Sequence, residues 1–136
     1  FASGKEPGAS NPLLMLAATR GRLMELLATD LRPSDQSFAD QAFMAGIMSL
    51  MPALVGLPIN EIVAPLGLSG DVKDALCEGK GVLGNMLHLA ESSESGEIEA
   101  LTSNLAQLPG MTPKQLNRAQ TDALQWANNI GRESAD

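Results

Sequence analysis

The stretch Asn11-Pro-Leu-Leu-Met-Leu-Ala-Ala-Thr-Arg-Gly-Arg-Leu-Met-Glu-Leu-Leu-Ala-Thr29 decides the fold class. Asn11 before Pro12 reads as an N-cap followed by proline in the first helical turn, where its missing N–H costs nothing. Behind it Leu13, Leu16, Ala17, Leu23, Leu26 and Leu27 recur at helical spacing, which predicts a helix from about Pro12 to Thr29. The same grammar repeats down the chain. Asp30 to Pro33 breaks the first helix, and Ser34 or Asp35 caps a second whose face carries Phe38, Ala42, Phe43, Ala45, Met48 and Leu50. That helix is expected to stop near Met51-Pro52, because proline disfavours helical geometry in the residue before it. Pro58 starts a short helix through Ile62 and Val63, ended by Pro65-Leu66-Gly67. Ser69 caps another, with Val72, Ala75 and Leu76 inward and Glu78-Gly79 closing it. Longer segments follow from Val82 to Ser95 and from Ile98 to Leu108, the latter stopped by Pro109-Gly110. Thr112-Pro113 opens the last helix, with Leu116, Ala119, Ala123, Leu124, Ala127 and Ile130 on one face. No segment sustains an alternation of polar and β-branched residues, so no sheet is expected. The prediction is an all-α, compact array of about six to seven short helices over residues 11–136, after a flexible Gly/Pro/Ser-rich lead-in at residues 1–10.

Composition agrees with helices. Apolar residues make 44% of the 136 residues and charged residues 18%, which excludes a disordered acidic tail. Tyrosine is absent and aromatics reach only 3%, so the core must be built from Leu, Met and Ala. Nine basic residues against sixteen acidic give a net charge of -7, which repels phosphate backbones and argues against nucleic acid as a partner. The single cysteine, Cys77, has no partner for an internal disulfide; a reducing cytosol and a buried, inert thiol are expected. The longest apolar-rich stretch, Phe43 to Val63, is interrupted by Gly46, Pro52, Gly56 and Pro58, so no membrane span of ~20 residues is expected. The chain opens on Phe1 rather than Met, with no basic segment leading into an apolar one, and is expected to be a fragment of a longer protein.

Residues able to carry chemistry are few. His88 is the one histidine, flanked by Leu87 and Leu89, with Glu91 three residues on. It is either a structural or surface histidine or a ligand lacking company. Gly79-Lys80-Gly81 with Gly84 lacks the spacing of a phosphate-binding loop, and its glycines suit a turn between two helices. Glu91, Glu94, Glu97 and Glu99 form either a solvated helix end or a cation-attracting patch. No metal or cofactor is expected. Arg22 and Glu25, three apart, can pair along the first helix, whereas Arg20 points elsewhere and can reach another helix or a partner's carboxylate. Met44, Met48 and Met51, with Met15 and Met24, suit either core packing or an adaptable interface.

Several of these segments resemble one family. Arg20-Gly-Arg-Leu-Met-Glu-Leu-Leu-Ala28, Gln41-Ala-Phe-Met-Ala-Gly-Ile-Met-Ser-Leu-Met51 and Leu57-Pro-Ile-Asn-Glu-Ile-Val63 carry the likeness. So do Leu68-Ser-Gly-Asp-Val-Lys-Asp-Ala-Leu76 and Gly81-Val-Leu-Gly-Asn-Met-Leu87. Over Leu13 to Gly96 the chain resembles the C-terminal part of an HDOD domain, the catalytically degenerate relative of HD and HD-GYP phosphohydrolases, as found in bacterial EAL–HDOD signalling proteins. The active relatives carry an Ala-Gly-Leu-Leu-His-Asp-Ile-Gly type segment whose His-Asp pair binds metal. The matching segment here is Ala45-Gly-Ile-Met-Ser-Leu-Met-Pro52, so Ser49 and Leu50 stand where that pair would be.

The resemblance therefore implies a non-catalytic regulatory module linked to cyclic-di-GMP signalling in the bacterial cytoplasm. It would bind another protein, its own EAL neighbour or a second copy of itself. Arg20, Arg22 and Glu25, then Met44, Met48 and Met51, are the candidate interaction residues. The alternative is a residual HD-type phosphohydrolase completed by an absent N-terminal half.

Overall fold

The computed structural model describes residues 11–135; the lead-in expected at residues 1–10 lies outside the described residues. The architecture is all-α, as the periodicity predicts. The described helices are α1 (Pro12–Leu31), α2 (Gln36–Met48), α3 (Met51–Val55), α4 (Ile59–Val63), α5 (Gly70–Glu78), α6 (Gly81–Ser95), α7 (Ile98–Ala106) and α8 (Pro113–Ala135), with a 3-10 turn at Ala64–Leu66 after α4.

The caps read from sequence are in place. Asn11 Oδ1 accepts the backbone N–H groups of Leu13 and Leu14, and Asp35, rather than Ser34, accepts that of Phe38. Ser69 caps α5 through the N–H of Val72. At the start of α8, Thr112 and Gln115 exchange bonds: Gln115 N–H donates to Thr112 Oγ1 and Thr112 N–H to Gln115 Oε1. Two orphan donors are thus satisfied reciprocally.

The segment expected to run to Leu108 ends at Ala106, and two other boundaries differ from the expectation for a physical reason. The second helix ends at Met48, not Met51. Pro52 cannot donate to the carbonyl of Met48 and its ring crowds that carbonyl, so the chain turns at Ser49-Leu50 and restarts as α3. Met51 consequently opens a separate helix and leaves the row of Met44 and Met48. The first helix runs on to Leu31, because nothing stops it until the turn that precedes Pro33.

Helices α1, α2, α6 and α8 surround the core, with α5 beside α2 and α6. Met24, Leu27, Leu83, Met86, Leu89 and Leu116 are fully enclosed, each side chain stabilising the fold by ~1.5–3 kcal/mol relative to exposure. The closest packing is between α1 and α2. A Cβ on Gly46 would stand 2.8 Å from both the Arg20 carbonyl oxygen and Gly21 Cα, so this crossing requires glycine. Gly46 costs the helix ~1 kcal/mol against alanine and gains backbone-to-backbone contact.

Three expectations about burial are corrected. Cys77 is exposed, on the outer side of α5 opposite Val72 and Ala75. Leu124 and Ile130, placed on the inner face of the last helix, are 54% and 36% exposed, since Ala119, Ala123 and Ala127 form the stripe that meets α1. Finally, residues Gln36–Val55 do reach the length and apolar composition of a membrane span. That stretch is broken at Ser49-Leu50 and turns Phe38, Ala39, Ala42, Ala45 and Gly46 into the core, while Met44 and Val55 stay exposed.

Candidate functional site

Arg20 sits in the middle of α1, and its side chain leaves the helix toward α6. It is 7% exposed, a buried guanidinium in a small domain. Its Nε donates to Glu94 Oε2 at 2.9 Å while Nη2 donates to Glu94 Oε1, a bidentate pair across two helices. Nη1 donates to Ser49 Oγ at 2.9 Å, and Glu91 Oε2 lies 3.7 Å from the same nitrogen. The Ser49 hydroxyl in turn donates to the Gly46 carbonyl at 2.7 Å. One cation therefore ties α1 to the end of α2 and to the last turns of α6.

Local sequence explains the placement. Glu91 and Glu94 are three apart, hence on one face of α6, just beyond the apolar run that ends at Ala90. The turn forced by Pro52 points Ser49 inward. Gly46, by letting α1 and α2 touch, brings Ser49 within reach of Arg20. Leu50, next to Ser49 at this turn, is half-buried and offers no donor atom. Among the described residues no group of three or more His, Cys, Asp or Glu side chains could hold a metal ion.

Cavities flank the cluster on two sides. One, of about 380 Å³, is lined by Ser49, Pro52, Leu87, His88 and Glu91 among others. The second, of about 290 Å³ and mostly apolar, opens between α1, α6 and α8 beside Leu16, Leu23, Ala123 and Leu124, with Arg20 and Glu94 in its wall. His88 is exposed and covers Gly79, where a Cβ would come within 2.9 Å of its Nε2. Gly79 itself ends α5 at φ +67, and a Cβ on Gly84 would lie 2.4 Å from the Gly79 backbone. The Gly79 to Gly84 segment is thus a tight helix-to-helix turn. Lys80 in that turn pairs with Glu78 at 2.8 Å, and this hydrogen bond and the carboxylate's charge raise the ammonium pKa.

The other predicted residues lie apart from Arg20. Arg22 pairs with Glu25 at 2.8 Å along α1, as the spacing suggests. Its guanidinium carbon also stands 5.7 Å from the ring centre of Trp126 on α8, whose ring meets Phe43 edge-on at 6.2 Å. Arg22 thus joins α1 to α8 by a cation–π contact, although its buried Nε has no hydrogen-bond partner among the described residues. Met48 is buried, Met51 half-buried and Met44 41% exposed, so the three do not form one surface.

Sequence reading missed Glu94 as the main partner of Arg20, grouping it with an acidic run read as either a solvated helix end or a cation-attracting patch. A pair of acids at i, i+3 directly following a run of core residues was the available signal. Ser49 was singled out for what it replaces; its bond to Arg20 needed coordinates.

Comparison with known proteins adds one relative. The chain is similar to the cyclic di-GMP phosphodiesterase CdgJ of Vibrio cholerae serotype O1, 30% identical over 132 residues, which are 97% of this chain and 29% of that protein. The chain thus spans under a third of that relative's length. No protein-family model matches the chain, and no solved structure matches it.

Proposed function

We propose that this chain is a non-catalytic, HDOD-like regulatory segment of a bacterial protein in cyclic-di-GMP signalling, working in the cytoplasm through contacts with other protein. The observation that carries the reading is the Arg20–Ser49 bond. Where an HD-type enzyme would place a metal-binding histidine, this chain places a hydroxyl that accepts from a buried guanidinium. A fixed positive charge at 2.9 Å from Ser49 Oγ repels a divalent cation, and Glu94, an available oxygen ligand, is already consumed by Arg20. The similarity to a cyclic di-GMP phosphodiesterase supports the pathway. The phosphodiesterase activity is that of a protein more than three times as long as the aligned stretch.

A scaffold of this kind transmits a signal when two arrangements of its helices bind a partner unequally. Three helices meeting at Arg20 give the domain one shared joint for such a change. Metal analysis and a phosphodiesterase assay on the purified chain test the reading. Substoichiometric metal and no turnover of cyclic di-GMP are expected. Stoichiometric Mn, Fe or Zn accompanied by hydrolysis would overturn it.

A further inference from the structure

We propose that the α6–α7 corner is a docking surface for a basic, amphipathic protein segment, one that carries Lys or Arg beside an aliphatic side chain. The proposal rests on the protein-contact reading above and supplies the partner's chemistry.

Helix α7 is the least enclosed of the longer helices. None of its residues is buried, and among the other helices it packs chiefly on α6. Its apolar residues Ile98, Leu101 and Leu105 recur at i, i+3 and i+7, a single stripe. Leu101 and Leu105 are partly covered by the core, but Ile98 is 72% exposed, the most exposed large apolar side chain among the described residues. The cause lies in α6: opposite Ile98 its final turn is Ser92-Ser-Glu-Ser95, which has no aliphatic side chain to offer. Asn104 holds the two helices together instead, donating to the His88 carbonyl at 3.0 Å and to Ser92 Oγ at 3.1 Å. Beside this joint is an open cavity of about 360 Å³ lined by His88, Glu91, Ser95 and Glu97.

Charge selects the occupant. From Gly81 to Pro113 the chain has no Lys or Arg, while Glu91, Glu94, Glu97 and Glu99 fall in that interval. Glu94 is taken by Arg20, whereas Glu97 and Glu99 flank Ile98 and are exposed. Among the described residues neither Glu97 nor Glu99 has an ion-pair partner, and such an acidic rim around an exposed aliphatic residue repels anionic lipid and nucleic acid and complements a cationic segment that brings its own apolar side chain. Ile98 supplies the contact energy and the rim supplies orientation.

The test uses the ¹⁵N-labelled chain and a 14-residue amphipathic Leu/Lys helical peptide, with the same peptide bearing Glu for Lys as the charge control. Amide shifts are expected to concentrate at residues 91–105, and the Glu peptide should not bind. Ile98→Ser should weaken the Lys peptide about fivefold, the share of a half-covered aliphatic side chain. Glu97→Gln with Glu99→Gln should weaken it roughly threefold and flatten its salt dependence. Asp122→Asn, on exposed α8 surface, should leave affinity unchanged, and circular dichroism should show each variant folded. Shifts spread equally over Asp71, Asp74 or Asp122, or an Ile98→Ser variant that binds as well as the parent, would overturn the proposal. So would a concentration-dependent dimer in sedimentation that Ile98→Ser abolishes, since a second copy would then be the occupant. The two readings fail separately: hydrolysis overturns the non-catalytic one, delocalised peptide binding this one.

Discussion

Removing Glu94 should destabilise the domain more than removing Arg20, and the asymmetry follows from where each end of the pair lies. The Arg20 side chain is 8% exposed and that of Glu94 26% exposed. With Glu94→Ala the guanidinium stays buried and loses both of its strongest bonds. Stranding one member of a buried pair costs ~3–5 kcal/mol, but Ser49 still accepts from Nη1 and Glu91 stands 3.7 Å away, so about 2–3 kcal/mol is expected. With Arg20→Met the stem still packs, Ser49 keeps its bond to Gly46, and the freed Glu94 carboxylate can turn into water. Only the net worth of the charge-assisted bonds is lost, about 1–2 kcal/mol. Adding Glu91→Gln to Glu94→Ala should deepen the loss, because the remaining compensating carboxylate disappears. Urea unfolding followed by fluorescence of Trp126, the single tryptophan, reads all three variants, with unchanged slopes required for the comparison. For a domain of this size ~2.5 kcal/mol corresponds to a fall of roughly 10 °C in Tm. If Arg20→Met costs as much as Glu94→Ala, or both cost under ~0.5 kcal/mol, the guanidinium is not the buried joint described here.

Other expectations follow from particular contacts. Gly46→Ala should lose ~2–3 kcal/mol, because its Cβ meets the backbone of α1 at 2.8 Å; Gly21→Ala puts a Cβ 2.7 Å from Ile47 Cγ1 and 3.2 Å from the Phe43 carbonyl oxygen and should also destabilise, by somewhat less because a side chain can shift where backbone cannot; chemical denaturation of the pair settles the order. Thr112→Ala removes the cap that Gln115 answers and should cost about 1 kcal/mol, readable as a shifted urea midpoint. Cys77 should react stoichiometrically with a thiol reagent in the folded protein, at the rate of an accessible thiol; a reaction that waits for denaturant would contradict its exposure. Ser49→His with Leu50→Asp should fail to recruit Mn²⁺ in calorimetry while Arg20 remains, since the guanidinium still occupies the bond to position 49.

Local signals carried most of the fold. Caps at Asn11, Asp35, Ser69 and Thr112, and the stops at Pro52 and Gly79, act within a few residues of themselves, so a linear reading can find them. The exposure of Leu124 could not be found that way. A helix face is defined by what packs on it, and α1 meets α8 along alanines rather than along the larger residues that share its stripe. Cys77 misled for a related reason: cysteine is commonly buried, but on α5 the inward positions belong to Val72 and Ala75.

The site was legible in part: the spacing gave the Arg22–Glu25 pair and Arg20 as a side chain reaching another helix, but not which carboxylate it meets. The partners themselves are far apart in the chain: the sequence separates Arg20 from Glu94 by 74 positions and from Ser49 by 29. What joins them is the Gly46 crossing, which fixes how near α1 and α2 approach. A chain that had only lost its ligands would leave Glu91 and Glu94 facing an empty, negatively charged gap, which costs stability unless a cation fills it. Arg20 fills it from within the chain, and as a guanidinium it cannot be deprotonated or diffuse away. Arg20 thereby forms a permanent cross-link among three helices, and on the non-catalytic reading proposed above it does so where a metal pair would otherwise act.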